Sequence, residues 1–480
     1  MTIKAVIQVP ESFRSKAAYA LKTLFSVCSL KSEIVFLNLD CQTIPYAHVY
    51  YGVKSHANLS TETIHILASE EAIRFYEHKR FFVPKDLRWI LSSGKKVPLL
   101  FHDFYNEDAF PLNDIVASAF FFLSDWQSFT AVSRDSHGRF ACKDSIQSKL
   151  GINDVPVVDF YARILANTLV NKGHPLEKQA IWNKKSFAAV ITHDFDRIRK
   201  RTLGAFVREF FEVPILNKLN LPPKERRERF KLSLKSLISP KDDYQTSIRK
   251  IFVAHQKGNS KPTVLLKSIL KKHPNDAKDY LEDPFLDEIL SKVKDLNGEI
   301  GLHSSYEAGL VPSLFEKEKT QLENRIKTNI ISHRHHYLRY NQLMGLDIVS
   351  DSGILTDSTL GWAEAPGYRT GTTFPHYVFD LNKNNATQLL EIPLMLMDMQ
   401  FSRYMETNTS AGVDFAINQV DMAEEFGGLI AWNFHHHIFD EAEFPEGAIL
   451  FENSLNYLIE KQPLFLTMGE VYDLYKKLQS

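Results

Sequence analysis

Two aspartates and a histidine follow one another at the end of an apolar stretch, in Thr192-His193-Asp194-Phe195-Asp196. The residues before them, 186–192, are apolar enough for a buried strand, and burying an unpaired carboxylate is costly. Because side chains alternate along a strand, Asp194 and Asp196 share one face while His193 points to the other. The pattern predicts one metal ligand and one general base, with aspartates that merely cap the strand as the alternative.

Two further groups carry the side chains that first-row divalent metals prefer. In Gly301-Leu302-His303-Ser304-Ser305-Tyr306-Glu307, His303 and Glu307 are four residues apart and meet if a helical turn forms. Imidazole and carboxylate ligands together suit Zn²⁺. In Ser332-His333-Arg334-His335-His336, three histidines fall within four residues. Histidines that are only hydrogen-bonded or solvated are the alternative for both groups.

Two later segments offer an anchoring cation and a proton donor. Gly367-Tyr368-Arg369-Thr370-Gly371-Thr372 predicts a tight loop, in which Arg369 could orient a carboxylate or an anionic substrate group. Asn433-Phe434-His435-His436-His437 follows another apolar stretch, and a histidine with a pKa of about 6.5 suits general acid catalysis. The alternatives are a surface turn and histidines that cap a strand. Four of the five groups follow an apolar strand, whereas chance placement would scatter them.

Strands and helices alternate from about residue 280 onward, and these elements must position the five groups. Helices are predicted at 285–295, 316–327 and 341–346, and strands at 298–303, 328–333, 389–393 and 428–434. Alternating units of this kind predict a parallel sheet that closes into a barrel. Ligands bind beyond the carboxyl ends of the strands in such folds.

Residues 1 to about 180 are predicted to form a smaller α/β unit, which leaves 181–480 for the barrel. The polar stretch 171–178 is the predicted boundary. Strands are expected at 33–37 and 96–101, and helices at 114–124 and 161–170.

A basic helical insertion is predicted at about 200–260. Between residues 197 and 250 the chain has 15 Lys and Arg against 6 Asp and Glu. Solvated helices are one interpretation, and a surface for an anionic glycan, a phospholipid headgroup or a protein is the other.

The overall composition excludes several classes of protein. The chain has 480 residues, of which 44% are hydrophobic and 24% charged, so it can build a large core. A net charge of -1 creates no global field toward nucleic acid or a membrane. No apolar stretch predicts a transmembrane helix or a signal peptide. Cys28, Cys41 and Cys142 are too few and too dispersed for a disulfide framework, so we expect a cytoplasmic protein.

The order of these motifs resembles the polysaccharide deacetylase superfamily, carbohydrate esterase family 4. It is most similar to bacterial proteins with the motifs Thr-His-Asp-x-Asp, Gly-Leu-His-x-Ser, Arg-x-His-Tyr-Leu-Arg, Gly-x-Arg-x-Gly-Thr and Glu-Ile-Pro, here residues 192–196, 301–305, 334–339, 367–372 and 391–393. The segments 114–124 and 134–140 look like the uncharacterised N-terminal domain of the same proteins. The resemblance spans nearly the whole chain and implies a distorted (β/α) barrel with a single divalent metal.

The resemblance also implies a ligand set. The family binds its metal through an aspartate of the first motif and two histidines four residues apart. Either Asp196 or Asp194 is then the ligand and the other is the base, and His303 is the first histidine. Glu307 stands where the second histidine is expected, so either Glu307 is a ligand or His336 replaces the missing histidine, and we favour His336.

The remaining roles follow from the same likeness. Arg369 resembles the arginine that orients the catalytic aspartate, and His435 or His436 resembles the late general acid. The implied reaction is hydrolysis of an acyl group, expected to be N-acetyl, from a sugar or envelope glycan, with Zn²⁺ as the expected metal. In that reaction Asp194 takes a proton from water, and a histidine protonates the leaving amine.

Other functions are compatible with the same residues, because fold alone does not fix function. One alternative is a catalytically altered barrel that binds glycan or glycolipid. Another is an assembly component of envelope glycan synthesis that docks through the basic insertion. A third is a lyase or glycosidase on the same barrel. A carbohydrate or glycolipid is the expected partner, and nucleic acid is not.

Overall fold

The computed structural model describes residues 2–54, 56, 59–82, 87–92, 94–101, 114–200, 208–212, 215–217, 222–238, 242–401 and 409–479. The strands in these ranges are β1 (Thr2–Gln8), β2 (Lys31–Phe36), β3 (Val49–Gly52), β4 (Ile64–Leu67), β5 (Arg88–Ser92), β6 (Lys95–Leu99), β7 (Ala188–Phe195), β8 (Pro262–Leu266), β9 (Glu299–Ser304), β10 (Ser332–His335), β11 (Thr356–Asp357), β12 (His376–Asp380), β13 (Asn385–Glu391), β14 (Leu396–Met397), β15 (Leu429–Asn433) and β16 (Leu464–Phe465).

The helices are α1 (Glu11–Val27), α2 (Glu70–Glu77), α3 (Ile115–Leu123), α4 (Trp126–Thr130), α5 (Ile146–Leu150), α6 (Val157–Asn171), α7 (Pro223–Ile238), α8 (Asp243–Gly258), α9 (Phe285–Asp295), α10 (Pro312–Ile326), α11 (Asp347–Asp351), α12 (Thr409–Phe426), α13 (Gly447–Glu460) and α14 (Met468–Gln479). No described helix is both long and apolar enough to cross a lipid bilayer.

The N-terminal unit is built on a parallel sheet of four strands in the order β2-β1-β3-β4. Its most apolar helix is α3, in which every residue is buried, as the sequence predicts for the run 114–124. Asp114 caps this helix by accepting a hydrogen bond from the backbone N–H of Ala117 at 2.9 Å. The predicted strand near residue 96 is β6, which pairs antiparallel with β5 in a separate hairpin.

The larger sheet carries all the groups singled out in the sequence except the arginine loop. Its strand order is β12-β13-β11-β10-β9-β8-β7-β15-β14, with β16 beside the first residues of β7. The α/β class is confirmed, since every neighbour is parallel except β12 against β13.

The predicted barrel is present in part, as an open, curled sheet in the part of the chain that the structure describes. The sheet curls into a half-barrel whose edges are β12 and β14. At one edge β14 has only two residues, and at the other β12 turns back antiparallel, so neither edge continues the parallel ladder.

Both faces of β7 are covered, which explains its uninterrupted burial. Ala188 and Val190 pack into a hydrophobic cluster with residues of the N-terminal unit and of α14. Ala189 and Ile191 point to the opposite face and pack with the helices of the second unit. The first cluster is therefore continuous across the predicted boundary near residue 180.

The predicted basic insertion is only partly visible, because residues 201–207, 213–214, 218–221 and 239–241 lie outside the described ranges. Within it, α8 buries Ile248, Ile251 and Phe252 and so belongs to the helical layer over the sheet. The helix predicted at 341–346 is wrong. Gly345 has a φ of 63°, and the helix begins only at Asp347.

Candidate active site

The predicted aspartates and histidines meet at the carboxyl edge of the larger sheet. Asp194 lies near the end of β7, and Asp196 follows that strand directly. His303 lies at the end of β9 and pairs in register with Arg334 of β10. His336 follows the last residue of β10. Because these strands run parallel, their ends bring the four side chains to one place.

Asp196, His303 and His336 form a group whose donor atoms all lie within 4.8 Å of one another. We call them the ligand triad. Oδ1 of Asp196 lies 3.4 Å from Nε2 of His303 and 3.3 Å from Nε2 of His336. That oxygen is buried and has no hydrogen-bond partner among the described residues. A buried carboxylate oxygen without a partner, beside two imidazoles, suits a divalent cation.

The orientation of both histidines supports the same assignment. Nδ1 of His303 donates to the carbonyl of Arg334 at 2.9 Å, which leaves the lone pair of Nε2 facing Asp196. Nδ1 of His336 lies 2.9 Å from Oδ1 of Asp276 and 2.7 Å from Nζ of Lys267, and its Nε2 faces Asp196. A carboxylate or carbonyl behind the ring is the usual way in which proteins orient histidine ligands.

A buried lysine stands behind the triad. Nζ of Lys267 lies 2.6 Å from Oδ1 of Asp276, 2.7 Å from Nδ1 of His336 and 3.8 Å from Oδ1 of Asp196. Burial, followed by the charge of Lys267, lowers the pKa of His336 to about 4. The imidazole of His336 is therefore neutral at physiological pH, the form that binds metals.

Asp194 lies beside the triad with its own set of partners. Its Oδ1 accepts a hydrogen bond from Nη1 of Arg334 at 2.8 Å, and its Oδ2 accepts one from Nδ2 of Asn433 at 2.9 Å. Burial opposes ionisation of this carboxyl, but Arg334 and then His303 outweigh it and hold its pKa below the ordinary value. Asp194 is therefore an ionised carboxylate held in a fixed orientation.

His435 faces the triad from the segment that follows β15. Its Nδ1 lies 2.6 Å from Oδ1 of Asp398, and its backbone N–H donates to Oδ2 of the same carboxylate at 2.7 Å. Its Nε2 lies 3.9 Å from Oδ2 of Asp196. Burial alone would lower the pKa of His435, but Asp398 outweighs it and raises that pKa to about 9. The ring is thus a protonated donor at neutral pH.

His436, the second histidine proposed for this role, is placed differently. Its ring packs edge-on against Tyr244 at a centroid distance of 4.6 Å. Burial, followed by His437, lowers the pKa of His436 well below its ordinary value. His436 is therefore a neutral imidazole and a poor proton donor, so His435 suits the acid role better.

Arg369 does not orient Asp194, contrary to what the family resemblance implies. Its Nη2 lies 2.8 Å from Oδ2 of Asp125 in the N-terminal unit. Backbone hydrogen bonds anchor the loop to that unit, from Tyr368 to Asn153 at 2.9 Å and from Val158 to Gly371 at 2.8 Å. Arg369 is a junction residue, and Arg334 takes the role expected of it.

Glu307 is not brought to the ligand triad. Its carboxylate lies 3.6 Å from Nη1 of Arg339, 3.9 Å from Nε2 of His273 and 4.0 Å from Nζ of Lys271. The helical turn needed to bring Glu307 back to His303 does not form, since His303 is still within β9 and residues 306–310 are turns.

Five side chains of the site were not assigned a role from the sequence: Arg334, Asn433, Lys267, Asp398 and Asp276. The first two stand inside motifs that were recognised. Lys267 and Asp398 directly follow the apolar strands β8 and β14, which is the signal that found the other groups. Asp276 lies in a polar loop, where nothing in the sequence distinguishes it from its neighbours.

A cavity opens above the triad. Among the residues that line it are Asp194, Asp196, His435, Tyr244, Tyr337 and Arg139. Arg139 comes from the N-terminal unit, so both units contribute to the walls.

One family model matches the first part of the chain. A family model described as "Family of unknown function (DUF7033)" matches residues 5–174, most of the N-terminal unit. A search of curated protein sequences gave no match.

Three solved structures are similar to the chain at low identity. The first is a "putative polysaccharide deacetylase" from Mycobacterium smegmatis, at 14% identity and a TM-score of 0.41, over 62% of this chain and 92% of that one. The second is a CE4 family pseudoenzyme from Bacillus anthracis, at 10% and 0.30, over 61% and 66%. The third is Agd3, a carbohydrate deacetylase, at 8% and 0.38, over 99% and 88%. At such TM-scores the functional assignment depends on the site itself.

Proposed function

We propose that the chain is a metal-dependent hydrolase that removes an acyl group, expected to be N-acetyl, from a sugar or envelope glycan. The observation that carries this proposal is the partnerless buried oxygen of Asp196 between two oriented imidazoles, His303 and His336. A divalent cation held by these three residues, expected to be Zn²⁺, would supply Lewis acidity toward an acyl carbonyl and a water molecule.

The protein's own side chains supply the proton transfers. Asp194, kept ionised by Arg334, takes the proton of the attacking water as general base. Arg334 and Asn433 occupy one position on each carboxylate oxygen, which fixes the direction of the remaining lone pairs. His435 carries the proton for the leaving nitrogen, and Asp398 stabilises its charged form. An ionised base and a protonated acid then coexist at neutral pH.

The catalytically altered alternative loses its main support. That alternative depended on the histidine missing from the second motif, whose position Glu307 occupies. Because His336 stands at the triad, the altered motif by itself does not imply a lost reaction.

We also infer a cytoplasmic location. Cys28, Cys41 and Cys142 form no disulfide with one another. Free thiols dispersed through a large chain are typical of a reducing compartment.

The test is metal analysis of the purified chain, combined with acetate release from a panel of N-acetylated sugars and envelope glycans. Asp194→Asn should retain the metal and lose acetate release, since an amide cannot take the proton. Asp351→Asn, at an exposed residue of α11, is the matched control and should behave as wild type. A chain without divalent metal, or an Asp194→Asn variant with wild-type turnover, would exclude the proposed function.

A further inference from the structure

Among the described residues of the N-terminal unit, Arg139 of the segment 134–140 reaches the cavity of the candidate active site. The backbone N–H groups of His137 and Arg139 both donate to Oδ1 of Asp135, at 2.8 and 2.9 Å, so the segment forms a tight turn. Arg139 projects from this turn into the wall of the cavity. It belongs to the first unit, whereas the triad belongs entirely to the second.

The guanidinium of Arg139 bridges the two units. Its Nε and Nη2 lie 2.8 and 2.7 Å from Oδ2 of Asp135, which fixes the plane of the group. Its Nη1 donates to the backbone carbonyl of Tyr337 at 2.8 Å. The residue is only 6% exposed, so water does not compete freely for these bonds. Arg139 thus ties the turn of the N-terminal unit to the residue that directly follows His336.

The backbone at this point is in an uncommon conformation. Tyr337 has a φ of 60° and Leu338 a φ of 52°. Two consecutive residues with side chains in the left-handed region are costly and persist only where the surroundings hold them. This turn sets the path of the chain as it leaves His336, a member of the ligand triad.

A second set of contacts holds the same turn from the other side. Nε of Arg339 donates to the carbonyl of His137 at 3.0 Å, and its Nη1 donates to the carbonyl of Tyr306 at 2.6 Å. The ring of Tyr337 packs against that of His137 at a centroid distance of 4.6 Å. The strained turn is therefore held between the N-terminal segment and the loop after β9.

We propose that Arg139 is a positioning residue for the metal site, and that the N-terminal unit is an integral part of the site. Arg139 holds the carbonyl of Tyr337, the strained turn then holds the backbone of His336, and Nε2 of His336 stays directed at Asp196. The inference rests on the proposed function, because it concerns the metal which that function requires.

The test is zinc affinity, measured on metal-free protein by competition with a chromophoric chelator, so that no substrate is needed. Arg139→Ala should weaken zinc binding about ten- to a hundred-fold, the range found when a group behind a metal ligand is removed. The zinc affinity of Arg139→Lys should lie between those of wild type and Arg139→Ala. One ammonium cannot hold Asp135 and the Tyr337 carbonyl in the geometry of the guanidinium.

Arg163→Ala is the matched control. Arg163 also belongs to the N-terminal unit and pairs with the second one, with Nη1 at 2.5 Å from Oε1 of Glu425, but it does not line the cavity. Zinc affinity should be unchanged in this variant, and because this ion pair is partly exposed, the thermal midpoint of the metal-free protein should fall less than in Arg139→Ala.

The outcomes separate the two ideas. If wild type binds zinc and both Arg139 variants bind it within two-fold of wild type, the positioning role is excluded while the proposed function stands. If Arg163→Ala weakens zinc binding as much as Arg139→Ala, the effect is general loosening and the inference fails. If wild type binds no divalent metal, the proposed function fails and the inference with it. Should Arg139→Ala not fold, Arg139→Lys decides by the same criterion.

Discussion

Two groups of polar side chains lie on, or directly after, neighbouring strands of the larger sheet. The first is the ligand triad. The second, which we call the buried chain, is Ser304, His333 and Asp357. Oγ of Ser304 lies 2.9 Å from Nε2 of His333, and Nδ1 of His333 lies 2.6 Å from Oδ1 of Asp357. These residue types in this order are those of a hydrolytic serine–histidine–aspartate triad.

The difference between the groups lies in exposure and in completed hydrogen bonds. All three members of the buried chain are fully buried and do not line the cavity above the triad. Asp357 also accepts hydrogen bonds from the backbone N–H and the hydroxyl of Thr359, at 2.8 and 3.0 Å. In the triad, by contrast, Oδ1 of Asp196 has no partner among the described residues. An incomplete set of hydrogen bonds at a cavity therefore marks a site better than residue types or distances do.

Asp196→Ala should have the largest effect on function. Without this carboxylate the triad has only two imidazoles, so we expect no stoichiometric divalent metal and no acetate release. The fold should persist, because the buried Lys267 beside Asp196 keeps its ion pair with Asp276 at 2.6 Å. Metal analysis and thermal unfolding of the metal-free protein check this. Full metal content in the variant would show that the ligand triad is not the metal site.

Asp357→Ala should act on stability instead. It removes the acceptor for His333 and for the two donors of Thr359, all buried, so we expect the free energy of unfolding to fall by about 3–5 kcal/mol. Denaturant titration gives the value. Folded protein should keep its zinc affinity, and a selective loss of affinity without a loss of stability would contradict the structural role.

Asp398→Asn should reduce kcat by about ten-fold, a part of what general acid catalysis contributes. The carboxylate of Asp398 raises the pKa of His435 to about 9, and the protonated form is the active one. Activity is then present below that pKa and lost as the pH rises through it, so removing the charge should move the alkaline limb of the profile to lower pH. A profile with an unmoved alkaline limb would remove His435 from the acid role.

Ser304→Ala should have the smallest effect. The lost hydroxyl leaves Nε2 of His333 and Nδ1 of His335 without their partner, which costs about 1–3 kcal/mol of stability. We expect kcat, KM and zinc affinity to match wild type. A folded variant without turnover would instead make Ser304 a nucleophile, and the two groups would exchange roles.

The ligand triad could be predicted from the sequence because the ends of strands can be recognised there. An apolar run followed by a histidine or carboxylate indicates the carboxyl end of a strand, and parallel strands gather such ends at one edge. The same logic could not choose between Arg369 and Arg334. That choice depends on the length and direction of a side chain that crosses the sheet, and on the loop of Arg369 being tied to another unit.

The edges of the larger sheet and the contacts between the two units could not be predicted from the sequence either. The open sheet follows from the antiparallel return of β12 and the brevity of β14, which are matters of pairing and not of periodicity. The approach of Arg139 to Tyr337 joins residues 198 positions apart. Such contacts leave no local pattern, although the segment 134–140 was recognisable as a motif.

The position of β7 in the sheet has a consequence for synthesis of the protein. In the sheet, β7 lies between β8 and β15, and the hydroxyl of Thr192 donates to the carbonyl of Trp432, 240 residues later. At a translation rate of about 5–20 residues per second, β7 waits roughly 10–50 s for this neighbour. During that time an apolar edge is open to chaperones and to other nascent chains. The sheet that carries the ligand triad is therefore completed only after β15 has been synthesised, and slow expression at low temperature should favour recovery of the folded protein.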